Sequence, residues 1–287
     1  MQQKNYEKQG YLLEDFRLFH LKGPGGIRTD YHYHEFCKLL LLLSGTGSYW
    51  IEGQQYALRP GDVVLVGNGC VHRPDFDPET PYERIIIYIS PDFLRRFSSE
   101  DCDLRDCFFG QNGPVLRSAQ GSRQLWILAK ELEKELSGEE YGRVILSQSA
   151  LLRLLVQIAR NLRQNDTLQP AHVQPRDSRV AAIMAYIQSH LTEDLNIDTI
   201  AEEFYLSKFH MMRLFRSCTG SSINTYITQQ RLHLARELIA GGMSATESCF
   251  RAGFGSYSSF TRTYGKYYGT TPTGRRYTAD LQDDTYE

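Results

Sequence analysis

Hydrophobic and polar positions follow one pattern in the first ninety residues and a different one afterwards. Early in the chain, short runs rich in β-branched and aromatic residues, such as 47–51, 62–66 and 84–89, alternate with turns that contain Gly, Pro and Asn. Many short strands separated by closely spaced turns are typical of a barrel or jelly roll. We therefore expect a β-barrel over about residues 1–91.

After Pro91 the apolar residues recur at helical spacing, first over 122–136 and then over 139–163. The two runs predict a helical arm of two antiparallel helices at about 122–164, which completes an N-terminal domain of residues 1–164. The second helix is apolar over more than one stripe. Two uses of that surface stay open: both helices only cover the barrel, or they also form a homodimer with a second copy.

Three further segments follow the arm. Residues 165–177 are polar, contain Pro170 and Pro175, and predict an interdomain linker. Residues 178–277 have helical patterning throughout, and residues 278–287 form an acidic tail. The overall fold class is thus two-domain, with a β-barrel and helical arm followed by an all-α domain.

Charge is unevenly distributed over these segments. Residues 176–277 hold 12 Lys+Arg against 8 Asp+Glu, a net charge of +4, whereas residues 1–175 hold 20 against 22, a net charge of −2. The tail has no Lys or Arg and 4 Asp+Glu. A local excess of basic residues favours an anionic partner for the all-α domain.

Several classes of protein are excluded. The longest aliphatic run, Leu39 to Leu43, is far shorter than the roughly 20 residues of a membrane span, and the first residues do not resemble a secretion signal. The six cysteines form no CxxC pair, which favours a reducing cytoplasm over a disulfide scaffold.

The all-α domain contains an internal repeat. Upstream of the turn, the second copy lies 48 positions after the first. Downstream of the turn the offset is 49 positions, because one residue has been added in the second turn. Ordered recurrence of this kind indicates a duplicated supersecondary unit. The matching pairs are Ala201 and Cys249, Leu206 and Phe254, Met211 and Phe260, Arg213 and Arg262, Phe215 and Tyr264, and Gly220 and Gly269.

Each unit has helix-turn-helix character, with a short helix, a turn and a second helix that begins after a serine. The outward stripe of the second helix mixes cations with apolar and hydroxyl groups, a composition suited to a DNA major groove. The helix at 223–240 between the units would span roughly 27 Å, so the two stripes are expected about one DNA turn apart, on the order of 34 Å. The candidate DNA-binding residues are Ser207, Lys208, Phe209, Met212, Arg213 and Arg216 in the first unit, and Ser256, Tyr257, Ser258, Thr261, Arg262 and Lys266 in the second.

Residues 180–277 resemble the AraC/XylS family of bacterial transcription regulators. The resemblance is carried by 201–207 (AEEFYLS), 213–215 (RLF), 253–254 (GF), 259–264 (SFTRTY) and 269–272 (GTTP). It implies a DNA-binding regulator that acts mostly as an activator at double-stranded promoter sites, with no catalytic residues and no cofactor. It also allows a contact with RNA polymerase.

The N-terminal domain carries His32-Tyr33-His34, Pro60-Gly61-Asp62 and His72, which resemble the cupin pattern and the sensor domain of many AraC-type regulators. His32 and His34 alternate along a strand and face the same side. Metal-binding cupins have a Glu four residues after the second His, and here that position is Lys38. The candidate ligand-binding residues are Arg28, His32, His34, Lys38, Tyr49, Trp50 and His72.

Three interpretations of these histidines remain open: a pocket for a small polar effector such as a sugar, a structural role at the barrel mouth, and a metal site. For the whole chain, the main hypothesis is a ligand-responsive DNA-binding regulator. The alternatives are a cupin-type metal-dependent enzyme with a helical appendix, and a protein-binding adaptor.

Overall fold

The structure is a computed structural model that describes residues 7–8, 10, 12–25, 29, 31–52, 54–109, 113–117, 121–163, 169–170, 173–175, 178–219, 221–268 and 270–274. The chain divides into two compact units, one of residues 1–181 with 218–220 and one of residues 182–217 with 221–287. The described strands all lie in the first unit: β1 (Glu7–Lys8), β2 (Phe16–Gly23), β3 (His32–Tyr33), β4 (Cys37–Ser44), β5 (Gly47–Ile51), β6 (Gln54–Leu58), β7 (Val63–Val66), β8 (His72–Phe76), β9 (Tyr82–Ile89), β10 (Val115–Arg117), β11 (Gln169–Pro170) and β12 (Val173–Pro175).

The strands form two six-stranded sheets, ordered β1-β3-β8-β5-β6-β12 and β11-β10-β7-β4-β9-β2. The central strands β4, β7 and β9 of the second sheet are mostly buried on both faces, which fits their largely apolar sequences. Alternate residues of β4 enter different cores: Leu39 and Leu41 pack outward, whereas Leu40 and Leu42 pack into the barrel interior. This arrangement confirms the predicted β-rich N-terminal domain.

The described helices are α1 (Pro91–Phe97), α2 (Asp106–Phe109), α3 (Gly121–Ser137), α4 (Arg143–Arg163), α5 (Ser178–Ser189), α6 (Ile197–Glu203), α7 (Lys208–Thr219), α8 (Ile223–Ala240), α9 (Ala245–Arg251) and α10 (Tyr257–Tyr268). Helices α3 and α4 are the predicted helical arm. Their apolar residues, including Leu125, Leu132, Leu151 and Leu155, join the outward core of the second sheet. The arm therefore does cover the barrel.

Two expectations about boundaries need correction. Strand β10 pairs with β7, so the sheets do not end at residue 91. Inside the expected linker, β11 pairs with β10 and β12 pairs with β6. Hydrophobic patterning could not reveal these strands because they are two or three residues long, and edge pairing through backbone groups tolerates polar residues and proline. The acidic tail lies outside the described residues.

The second unit confirms the internal repeat in its backbone. In both copies a seven-residue helix, α6 or α9, precedes a twelve-residue helix, α7 or α10. The turn between them has a residue of positive φ at the matching position, Tyr205 at 52° and Gly253 at 86°. The amide that follows donates to equivalent carbonyls, from Leu206 to Ala201 and from Phe254 to Cys249.

Helix α8 connects the two copies and contacts both of them. The guanidinium of Arg231 on α8 donates to the carbonyl oxygens of Leu191 and Glu193 in the loop after α5, at 2.9 and 2.6 Å. Gly253 of the second turn lies against the same loop, where an added Cβ would come within 2.8 Å of the Leu191 oxygen and 2.9 Å of Arg231 Nε. The second helix-turn-helix unit is thus seated on the loop that precedes the first.

His233, also on α8, contacts α10 of the second helix-turn-helix unit. Its Nε2 and Nδ1 lie 3.1 and 3.2 Å from the hydroxyls of Tyr267 and Tyr268 on α10. Burial, with the nearby Arg236 charge, lowers the pKa of His233 to about 3, so the ring is neutral near pH 7. A neutral imidazole has one donor and one acceptor, which fits two hydroxyls.

We expect Gly253→Ala to lower the free energy of unfolding by about 1–3 kcal/mol, because alanine is strained at this positive φ and its Cβ meets backbone atoms. Gly255→Ala is the matched control in the same turn, since a Cβ there meets nothing within 4 Å. Urea denaturation of the full chain, followed by far-UV circular dichroism, measures both. Equal stabilities of the two variants would contradict the packing assigned to Gly253.

Candidate nucleic-acid interface and barrel site

Helix α7 separates buried and outward residues as the sequence predicted. Met211 and Phe215 have no exposed surface and Cys218 is buried. On the other side, Phe209 is 85% exposed, and Met212 is half-buried. The remaining candidates in this unit are exposed, namely Ser207, Lys208, Arg213 and Arg216.

Helix α10 repeats this division. Phe260 and Tyr264 are buried in the core shared with α8 and α9. Of the candidate DNA-binding residues, Tyr257 and Thr261 are half-buried, and Ser256, Ser258, Arg262 and Lys266 are exposed. The hydroxyls of Ser207 and Ser256 lie 3.4 and 3.5 Å from backbone nitrogens one turn into their helices, which identifies both as N-cap residues.

The cations of these two stripes differ in their surroundings. Lys208 forms an exposed ion pair with Asp198 on α6, with 2.9 Å between Nζ and Oδ2. Within the described part of the chain, no carboxylate pairs with Arg213, Arg216, Arg262 or Lys266. Four exposed cations without a protein counter-charge can neutralise phosphates or reach base edges.

In the barrel, three of the predicted residues lie together. Strand pairing places His32 opposite His72, and the ring centroids of His32, His34 and His72 are separated by 4.5 to 5.0 Å. All three residues are buried. Their possible ligand nitrogens lie within 4.8 Å of one another, so donor type and spacing permit a metal ion, although among the described residues the group contains histidines alone.

The tautomer of His72 follows from its hydrogen bond. Its Nδ1 lies 2.9 Å from the carbonyl oxygen of Cys70, and because a carbonyl only accepts, Nδ1 carries the proton. Burial lowers the pKa of His72 well below its ordinary value, and the charge of Lys38 and the two neighbouring histidines lower it further. The buried Nε2 is therefore an acceptor, and no described residue donates to it.

Lys38 and Tyr49 extend this cluster inside the barrel. Lys38 is only 6% exposed, and its Nζ lies 5.6 Å from the centre of the Tyr49 ring, which in turn stacks on His72 at 5.8 Å. Burial, with a smaller effect from the charge of Arg84, lowers the pKa of Lys38 to about 7. Burial also raises the pKa of Tyr49, so its buried hydroxyl stays protonated.

Arg84 is a member of this site that the sequence analysis missed. It lies on β9, where it alternates with Ile85 and shares the interior face with Ile86, and it is only 7% exposed. Its guanidinium is placed over the rings of Phe76 and Tyr82, at 5.1 and 4.9 Å from their centres. The available signal was a single arginine at the start of the otherwise apolar run 84–89.

One other predicted ligand-binding residue, Trp50, is not brought to this cluster. Trp50 follows Tyr49 in β5 and therefore points to the opposite face of the sheet, where Arg73 lies 5.4 Å from its ring centre. The expectation that both aromatic residues line one pocket overlooked the two-residue period of the strand. Arg28 lies outside the described residues.

Comparisons with known proteins agree with this two-part structure. Residues 19–168 match the family described as "AraC-like ligand binding domain", and residues 200–276 match "Helix-turn-helix domain". Among curated proteins, the chain is 24% identical over 245 residues to "HTH-type transcriptional activator RhaS" of Enterobacter sp. (strain 638), covering 84% of this chain and 85% of that protein. It is 26% identical over 246 residues to the protein of the same name from Salmonella newport (strain SL254), with the same coverage.

Solved structures give more distant matches. Unsaturated fatty acid bound ToxT from Vibrio cholerae strain SCE256 is 14% identical, with a TM-score of 0.38 and coverage of 90% of this chain and 93% of that chain. The DNA-binding domain of AdpA in complex with a target DNA is 30% identical, with a TM-score of 0.32 and coverage of 32% and 85%.

The described residues include no helix that is both long and apolar enough to cross a membrane. The family matches indicate a DNA-binding transcription regulator and give no support to the alternative of a metal-dependent enzyme. With an AraC-like ligand binding domain over more than half of its length and a helix-turn-helix domain after it, the chain belongs to the AraC family of regulators.

Proposed function

We propose that this protein is a cytoplasmic, sequence-specific transcriptional activator whose DNA binding is controlled by a small polar effector, such as a sugar, bound inside the barrel. The curated relatives are named as transcriptional activators. The chemistry supports the proposal independently, because the protein combines two outward reading stripes with an interior cluster of polar groups.

The observation that carries the proposal is the repetition of one surface on two helices. Arg213 and Arg262 occupy equivalent positions of α7 and α10, each exposed beside half-buried or exposed apolar and hydroxyl groups. A single basic stripe would fit many anions. Two equivalent stripes on a duplicated unit fit a ligand that itself repeats, and the major groove of a DNA duplex repeats every helical turn.

The effector is proposed to act through strand pairing. Tyr49 in β5 pairs with Tyr56 in β6, and Tyr56 pairs with Val173 in β12. Strand β12 ends shortly before α5, the first helix of the C-terminal region. A ligand that binds more tightly to one conformation of β5 than to another therefore favours the matching conformation of β12 and of the segment that leads to the DNA-binding units.

We also propose that the protein is a homodimer formed through α3 and α4. At the start of α4, Val144, Ile145 and Leu146 are exposed by 59%, 72% and 50%. A groove of about 550 Å³ runs over the same helix pair, lined by Ile145, Leu152 and other residues of both helices. The exposed apolar side chains at the start of α4, together with the apolar part of the groove, support burial by a second copy.

Arg213→Ala and Arg262→Ala are each expected to weaken specific DNA binding by about 1–3 kcal/mol, roughly 5- to 150-fold, because each removes a base or phosphate contact. Arg251→Ala is the control, since Arg251 is exposed on α9 and faces Glu247. Fluorescence anisotropy of the full chain on duplexes from upstream of its own gene, at two salt concentrations, gives the affinities. Unchanged affinity for both stripe variants would refute the proposed interface.

Ile145→Asp is expected to convert the dimer to a monomer at micromolar concentration, because a carboxylate would be buried without a partner. Leu13→Asp makes a comparable change at a more exposed apolar residue that is not on the helix pair, 97% exposed against 72% for Ile145, and should leave the mass unchanged. Sedimentation equilibrium measures both variants. A wild-type monomer, or a dimer that Ile145→Asp leaves intact, would disprove this assignment.

A further inference from the structure

Two buried basic side chains in the barrel have no counter-charge among the described residues. Lys38 and Arg84 are 6% and 7% exposed, and within the described chain neither forms an ion pair or a hydrogen bond. Arg84 is offset only by the faces of two aromatic rings. An uncompensated buried charge is costly, and arginine cannot escape that cost by losing its proton.

The barrel interior also contains two neutral polar groups, on Tyr49 and His72. The Tyr49 hydroxyl is buried and no described residue bonds to it, so it can donate and accept. The Nε2 atom of His72 only accepts, as its hydrogen bond to Cys70 requires. A carboxylate alone cannot satisfy Nε2, because a carboxylate has no hydrogen to donate. A hydroxyl on the ligand can.

On this basis, and given the proposed effector-controlled function, we propose that the effector is a hydroxylated organic anion, such as a sugar acid or hydroxycarboxylate. Lys38 and Arg84 would bind its carboxylate, while Tyr49 and His72 would bind its hydroxyl groups. A neutral sugar would leave both cations unpaired. A divalent metal ion on the three histidines would be repelled by both cations.

The first test uses the full-length protein without added ligand. Lys38→Met removes a buried amine whose charged form is costly to bury, while keeping most of the volume, so we expect the Tm to rise by roughly 2–4 °C. Lys134→Met is the matched control, since Lys134 is exposed on α3, and should leave the Tm unchanged. A fall in Tm for Lys38→Met would show that the lysine has a structural partner and would overturn the proposal.

The second test compares the thermal shift that each probe produces in wild type, Lys38→Met and Lys134→Met. The probes are gluconate, galacturonate, galactose, hexanoate, sulfate and zinc chloride. We expect at least one hydroxy acid to raise the Tm of wild type and of Lys134→Met, with a shift lost in Lys38→Met. Galactose and hexanoate should give smaller shifts, because one lacks the charge and the other lacks the hydroxyls.

Several outcomes would overturn the proposal. One is that every anion shifts the Tm of wild type and of Lys38→Met equally. Another is that galactose raises the Tm more than galacturonate does. A third is that zinc chloride alone raises the Tm. Arg84→Met provides an independent variant in case Lys38→Met does not fold, and it should abolish the same acid-specific shift. DNA affinity measured on the same samples separates the two proposals, because a failure of DNA binding leaves the thermal shifts readable.

Discussion

The N-terminal unit depends on one constraint: both faces of the central strands β4 and β9 must be buried, each against a different environment. One face packs against the helical arm, and the other forms the barrel interior. Because side chains alternate, a polar residue in these strands cannot avoid burial. Lys38 and Arg84 are therefore buried because of their positions in β4 and β9. Their two basic groups give the barrel interior its positive charge.

The C-terminal unit depends on a different constraint, because it must hold two similar helix surfaces on either side of α8. Duplication preserved the backbone of the turn while its chemistry diverged. A tyrosine at φ 52° serves the first turn and a glycine at φ 86° serves the second. The glycine allows close approach to the loop after α5, which Arg231 also binds. Helix α10 contacts α8 through His233, whereas α7 packs against α8 through Phe215 and Tyr226.

The sequence was sufficient for the features that recur over long stretches. Helical spacing predicted α3 and α4, and the 48- and 49-residue offsets predicted both helix-turn-helix units and the buried and outward sides of α7 and α10. It was insufficient where a few residues decide. Strands β10 to β12 are too short to show a periodic pattern. Trp50 was expected in the same pocket as Tyr49, although neighbouring residues of a strand face opposite sides. The importance of Arg84 follows from the absence of a carboxylate among its described neighbours, which depends on three-dimensional packing.

The short strand β12 has a consequence for how such proteins can vary. Its three residues are held in register beside β6, and Val173 lies opposite Tyr56. Inserting or deleting a residue between Pro175 and Ser178, where α5 begins, would change the maximum reach from this paired backbone to α5 by about 3.3–3.6 Å. Backbone pairing of β12 thus makes the length of chain between β6 and the first C-terminal helix a property in which such proteins can differ.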